Sequence, residues 1–137
     1  MRRREDGSIA VETAIVAPVL LVLMLLVVYA GRASQADADV QSAASRAARA
    51  ASIVDDPAAA TAAAQSTAAA NLDTAGIECV SLATTVDTAE FRIGGTVTVT
   101  VRCQVSNGDI ALLAVPGSRW SVAFATQVID AHRGGDL

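Results

Sequence analysis

Between Ala14 and Gly31 the chain carries no charged residue, and its apolar character reaches back through Val11 and Ile9. Ile9 to Gly31 is 23 residues, about 34 Å as a helix, against a bilayer core of ~30 Å. Leu20 to Val28 contains neither a small residue nor a helix breaker. Pro18 lies where a membrane helix tolerates it with a mild kink. The segment is predicted to span a membrane. Arg2, Arg3 and Arg4 precede it, whereas Arg32 is soon followed by Asp37 and Asp39. The basic flank predicts a cytoplasmic N-terminus and an extracytoplasmic C-terminal domain. Val28-Tyr29-Ala30 would suit signal peptidase, so a cleaved signal peptide is the rival reading. The length of the apolar run and the glutamate at its start favour a retained anchor.

The rest of the chain bounds the function. With 137 residues there is room for an anchor and one small domain. The aromatics are Tyr29, Phe91, Trp120 and Phe124, the first of them inside the anchor, so a small core needs a staple or a partner. A net charge of −4, no lysine and no arginine cluster beyond the first four residues argue against nucleic-acid binding. His132 lies in a polar tail without a ligand set, and Gly94-Gly95 lacks a phosphate-loop fingerprint. Asp55-Asp56 reads as capping, not metal binding. No catalytic residue, metal, cofactor or small-molecule substrate is expected, and a secreted enzyme would need a polar pocket that these residues do not supply.

Glu12 stands out. A carboxylate in a spanning segment costs about 2.5–3.5 kcal/mol at the bilayer centre. Near the cytoplasmic end it can reach the interface and favours the positive end of the helix dipole, which is a purely structural explanation. Its context adds another. Arg2-Arg3-Arg4-Glu5-Asp6-Gly7-Ser8-Ile9-Ala10-Val11-Glu12 resembles the leader of type IV pilin-like proteins. In that family a prepilin peptidase cuts after a glycine, and a glutamate takes the fifth mature position. The resemblance implies processing between Gly7 and Ser8, with Glu12 as the fifth mature residue. A new α-amine at Ser8 would be positively charged at neutral pH. Glu12 could pair with it, or with that of a neighbouring subunit, and so set assembly register.

Gly7 to Leu21, with Pro18 six residues after the glutamate, is similar more particularly to TadE-like and TadG-like proteins of tight-adherence pilus and secretion systems. The Ala/Arg-rich run Ala43 to Ala51 is similar to theirs too. The resemblance covers about the first 50 residues. It implies a structural role in the membrane, with other pilin-like subunits, an assembly platform and a prepilin peptidase as partners. Thr13 stands where the system's major pilins carry an aromatic, and the chain is longer than those pilins. A minor pilin or assembly factor is therefore the expected role. The alternative is an anchored or secreted extracytoplasmic binding module whose helix is only a tether.

An α+β fold is expected: leader 1–7, transmembrane helix 8–31, stalk helix 32–56 and an extracytoplasmic domain over 57–137. Val40, Ala43, Ala44, Ala47, Ala51 and Val54 recur at helical steps. That small-residue stripe suits packing on the chain's own sheet or close contact with another subunit's helix. Asp56-Pro57 predicts a new start, with an Ala-rich helix over Ala58 to Ala70 ending near Asn71 to Gly76. Thr96 to Ser106 alternates strictly and reads as a strand. Arg119 to Ile129 follows on the shared parity of Trp120, Val122, Phe124 and Val128, with a weaker strand at Ile77 to Thr85. Asn107-Gly108-Asp109 and Pro116-Gly117-Ser118 mark turns. Antiparallel pairing around Phe91 would set Cys79 facing Cys103, and Thr85 facing Val97, favouring a disulfide outside the membrane. A tight hairpin at Gly94-Gly95, pairing Phe91–Ile93 with the Val97 strand, is the competing arrangement.

Overall fold

The computed structural model describes residues 5–107 and 117–130, with side chains from Ile9 onward. The element order is α1 (Glu5–Ser52), α2 (Pro57–Thr74), β1 (Cys79–Asp87), β2 (Thr96–Ser106) and β3 (Ser118–Val128). The chain divides into two units, residues 1–34 and residues 35–137. The first is an apolar helix. The second contains the C-terminal part of α1, α2 and an antiparallel sheet of order β1-β2-β3.

Alanine dictates how the second unit packs. Val40, Ala43, Ala44, Ala47, Ala48 and Ala51 of α1 are fully buried, as are Ala60, Ala64 and Ala68 of α2. They share one core with Leu72, with Val97, Val99, Val101 and Cys103 of β2, and with Ala123 and Ile129. The stripe expected along α1 therefore faces the protein's own core. A methyl side chain buries little area, but it lets backbones approach closely. The largest fully buried side chain is Leu72.

Local chemistry sets the ends of α2. Asp56 is extended and its carboxylate accepts from the Ala59 N–H at 3.0 Å, with Pro57 in the first turn, where no N–H is needed. At the other end Gly76 takes φ +72°. Its N–H bonds the Asp73 carbonyl, while the Ile77 N–H reaches back to Leu72 at 2.9 Å. That pairing is a Schellman motif, and Ile77 packs on the core beneath it.

The disulfide joins Cys79 to Cys103, with Cα atoms 5.3 Å apart. Closing a loop of this length contributes about 3 kcal/mol. The register, however, differs from expectation. Thr85 faces Thr100 rather than Val97, and Leu82 faces Cys103. A bulge at Val80 sets Cys79 opposite Val105, so the bridge runs to a neighbouring position on β2. The cause lies in the connection. Asp87 caps the Ala89 N–H, Phe91 bonds back to Thr88, and the Gly95 N–H bonds Arg92. These bonds fold residues 88–95 into turns and let β1 run on to Asp87. Phe91–Ile93 consequently forms no strand, and the competing hairpin is absent. Gly95 cannot be replaced without rearrangement, because a Cβ would collide with the Glu90 and Arg92 carbonyls.

Trp120, Val122, Phe124 and Val128 do share one face, but it is the face turned away from the core; all four are exposed. Ser121 and Ala123 are buried instead, with Ala125 partly so. Small residues on this side complement the alanine surface of α1. One polar contact fixes the pair. Asp37 on α1 accepts from Ser121 Oγ at 2.6 Å and from both terminal nitrogens of Arg119, the nearer at 3.1 Å. The Ser121 hydrogen bond, aided by Arg119 and opposed by desolvation, holds the Asp37 carboxyl below its ordinary value.

Two outcomes follow. Ala64→Leu adds hydrophobic area, yet it should lower stability by about 1–3 kcal/mol by overpacking; urea unfolding of the full chain in detergent measures this, and an unchanged midpoint would contradict the close-packed alanine core. A depressed carboxyl stabilises the fold above its unfolded value of about 3.9, and that contribution is lost as pH falls through the lower folded value. Asp37→Asn should therefore be less stable than wild type at pH 6, with the gap closing as pH falls below the unfolded carboxylate value of about 3.9. The gap should be modest, because the carboxylate is about half exposed to screening solvent.

Candidate functional site: the N-terminal helix

Among the described residues, the first unit has nothing of its own to bury its side chains against. Ile9, Val11, Ile15, Val19, Leu20, Leu21, Val22, Leu23, Met24, Leu26 and Val27 all lie more than half exposed. Helix formation here is expected from composition, since Leu, Met and Ala have high propensity. The β-branched residues among them fit a helix once surrounded by lipid or other helices. Pro18 sits inside α1, and Pro116 lies outside the described residues. From Ile9 onward α1 contains a stretch long and apolar enough to cross a membrane. Apolar surface exposed on every side of a helix has two physical solutions, hydrocarbon or other apolar helices.

Glu12 is the acidic residue of this surface. It lies with Ile9, Thr13, Val16, Ala17 and Leu20 along one shallow face of the helix. Those positions are spaced three and four residues apart, so they form a continuous stripe. Glu12 is exposed, as are its neighbours. Thr13 is turned inward to its own helix, its hydroxyl donating to the Ile9 carbonyl at 2.8 Å. Where a hydroxyl within an apolar helix bonds the preceding turn, it presents less polarity to its surroundings. The carboxylate is thus the strongest polar group on an otherwise apolar stripe.

Gly7 and Ser8 lie in the helical backbone of α1, one turn before Glu12. Arg2, Arg3 and Arg4 lie outside the described residues, as do His132, Gly108, Asp109 and Pro116. Gly117 is described, and its carbonyl accepts from the Asn107 N–H at 3.0 Å. Among the described residues no group of three or more His, Cys, Asp or Glu side chains is placed to hold a metal. Cys79 and Cys103 are joined to each other.

The contact of Asp37 with Arg119 and Ser121 escaped sequence reasoning. Asp37 registered only as a flanking charge, and its partners lie 82 and 84 residues away. The one available signal was a serine on the strand parity that also carries Ala123 and Ala125, which marks the close-packed side.

No curated protein and no solved structure matches the chain. A family model does match the N-terminal segment. This model, of the TadE-like protein family, is similar to residues 7–49, a stretch that takes in the apolar helix, Glu12 and part of the alanine stripe.

Proposed function

We propose that this chain is a membrane-anchored minor pilin or pilus-assembly protein of a tight-adherence-type pilus, working through its N-terminal helix. The observation that carries this reading is a coincidence of boundaries. The TadE-like match over residues 7–49 begins where the leader would be cut and takes in the exposed apolar helix. A structural, non-enzymatic role agrees with that family.

In this reading Arg2–Arg4 stay in the cytoplasm, the apolar helix crosses the membrane once, and the disulfide-linked unit lies outside. A prepilin peptidase cuts after Gly7 and leaves the Ser8 amine at the start of the helix. Glu12, one turn on, offers a carboxylate to that amine or to a neighbouring subunit's. In hydrocarbon neither charge is tolerated alone, so a pair made between subunits holds them in one axial register. Other pilin-like subunits and the assembly platform are the partners that the apolar helix surface would bury.

Glu12→Ala should leave membrane retention unchanged, since removing a charge makes insertion easier. It should reduce association with other pilin-like subunits by about tenfold or more, the size of effect expected for a paired charge worth ~1.4 kcal/mol or above. Co-purification from solubilised membranes, with Glu12→Asp as the conservative comparison, checks this. Equal recovery of partners with Glu12→Ala would sink the assembly role of the carboxylate.

A further inference from the structure

The outer face and free edge of β3 coincide. The register pairs Thr96 with Val128 and Ser106 with Ser118 without interruption. At the ends of this ladder the Asn107 N–H bonds the Gly117 carbonyl, and the Ile129 N–H bonds that of Gly95. Those two bonds fix its phase, because antiparallel pairs alternate between hydrogen-bonded and open. Odd-numbered residues of β3 bond β2. The even-numbered ones, Ser118 to Val128, direct N–H and C=O toward the free edge. The same residues carry the exposed side chains, Trp120 at 49%, Val122 at 54% and Phe124 at 67%.

Among the described residues no strand covers this edge, and the usual protections against pairing are missing. β3 contains no proline, no lysine and no bulge. Its one charge, Arg119, is on the inner face and engaged by Asp37. The edge does take a donor: the outward carbonyl of Phe124 accepts from Gln41 Nε2 at 3.2 Å. A carbonyl has a second lone pair, so this bond leaves room for a strand.

We propose that this edge pairs antiparallel with β3 of a second copy of the chain, about a two-fold axis at Val122. The sequence is self-complementary in that register and in no need of another partner. Val122 meets Val122 of the copy, and Trp120 meets Phe124, an aromatic cross-strand pair formed twice by symmetry. Ser118 meets Thr126. Arg119 meets Ala125, so no like charges oppose each other, which is the feature that most often blocks self-pairing. Arg102 lies 5.5 Å from the Trp120 ring and extends the covered face over β2. The union is a six-stranded sheet with a continuous aromatic stripe at its centre.

Register-specific cross-linking tests this in the full chain, in membranes, where association driven by the apolar helices is present in every variant. A hydrogen-bonded antiparallel pair sets Cα atoms about 5.5 Å apart, within disulfide reach. Val122→Cys should therefore form a homodimeric disulfide under mild oxidation, at least about tenfold more than Trp120→Cys, whose two copies lie four residues apart, roughly 13 Å. Thr85→Cys, on the far strand, should behave like Trp120→Cys. Co-expressed Trp120→Cys and Phe124→Cys chains should link to each other. An intact Cys79–Cys103 bridge, read by mass after digestion, verifies folding of each variant. Equal linking of Val122→Cys and Trp120→Cys would overturn the register, and so would a Val122→Cys adduct made only with a different protein.

Discussion

The close contact between alanine-lined helices and β2 is what the second unit depends on. Ala43, Ala44, Ala47, Ala48 and Ala51 on α1 and Ala60, Ala64 and Ala68 on α2 are wholly buried, with Val97, Val99, Val101 and Cys103 facing them. A core of methyl groups and valines gives modest hydrophobic stabilisation per residue. Close approach, the Cys79–Cys103 bridge and the Asp37 contact with Arg119 and Ser121 make up for it. Of the domain's three aromatics only Phe91 packs against this core; Trp120 and Phe124 are both left outside.

That economy divides the molecule's apolar surface by purpose. Among the described residues, large apolar side chains are exposed along the N-terminal helix and on the outer face of β3. Alanines, valines, Leu72 and Ile129 fill the core. α1 changes character along its length in the same way: from Ile9 to Val28 every Leu, Val and Met but the half-buried Leu25 is exposed, whereas Ala36 to Ala51 includes the buried stripe. One helix thus serves two environments, and the TadE-like match spans the change between them.

Much of this was legible in the sequence. The long apolar helix follows from an uncharged run of 18 residues between Ala14 and Gly31, and the start of α2 from Asp56-Pro57. β2 follows from strict alternation, and the disulfide from two cysteines that the basic N-terminal flank predicts to lie outside a membrane. Two things were hidden, each for a physical reason. The β1–β2 register depends on the bulge at Val80 and on turn bonds in residues 88–95, neither of which periodicity reports. The inner face of β3 could not be told from its outer face, because alternation separates two sides without saying which is buried. Here the rule that larger apolar residues go inside fails, since alanine helices leave room only for Ser121, Ala123 and Ala125. Glu12 was conspicuous in the sequence because a carboxylate is rare in such a run; the Asp37 contact was not, because its partners come from the other end of the chain.

The central claim is that the apolar helix is retained as a pilin-type anchor with its charge pair at the start. The N-terminus of the mature protein, read by terminal sequencing and intact mass from isolated membranes, tests it most directly. The account predicts a chain that begins at Ser8. A chain that begins at Gly31 would contradict it, because the helix bearing Glu12 would then be a discarded signal and the protein a secreted domain.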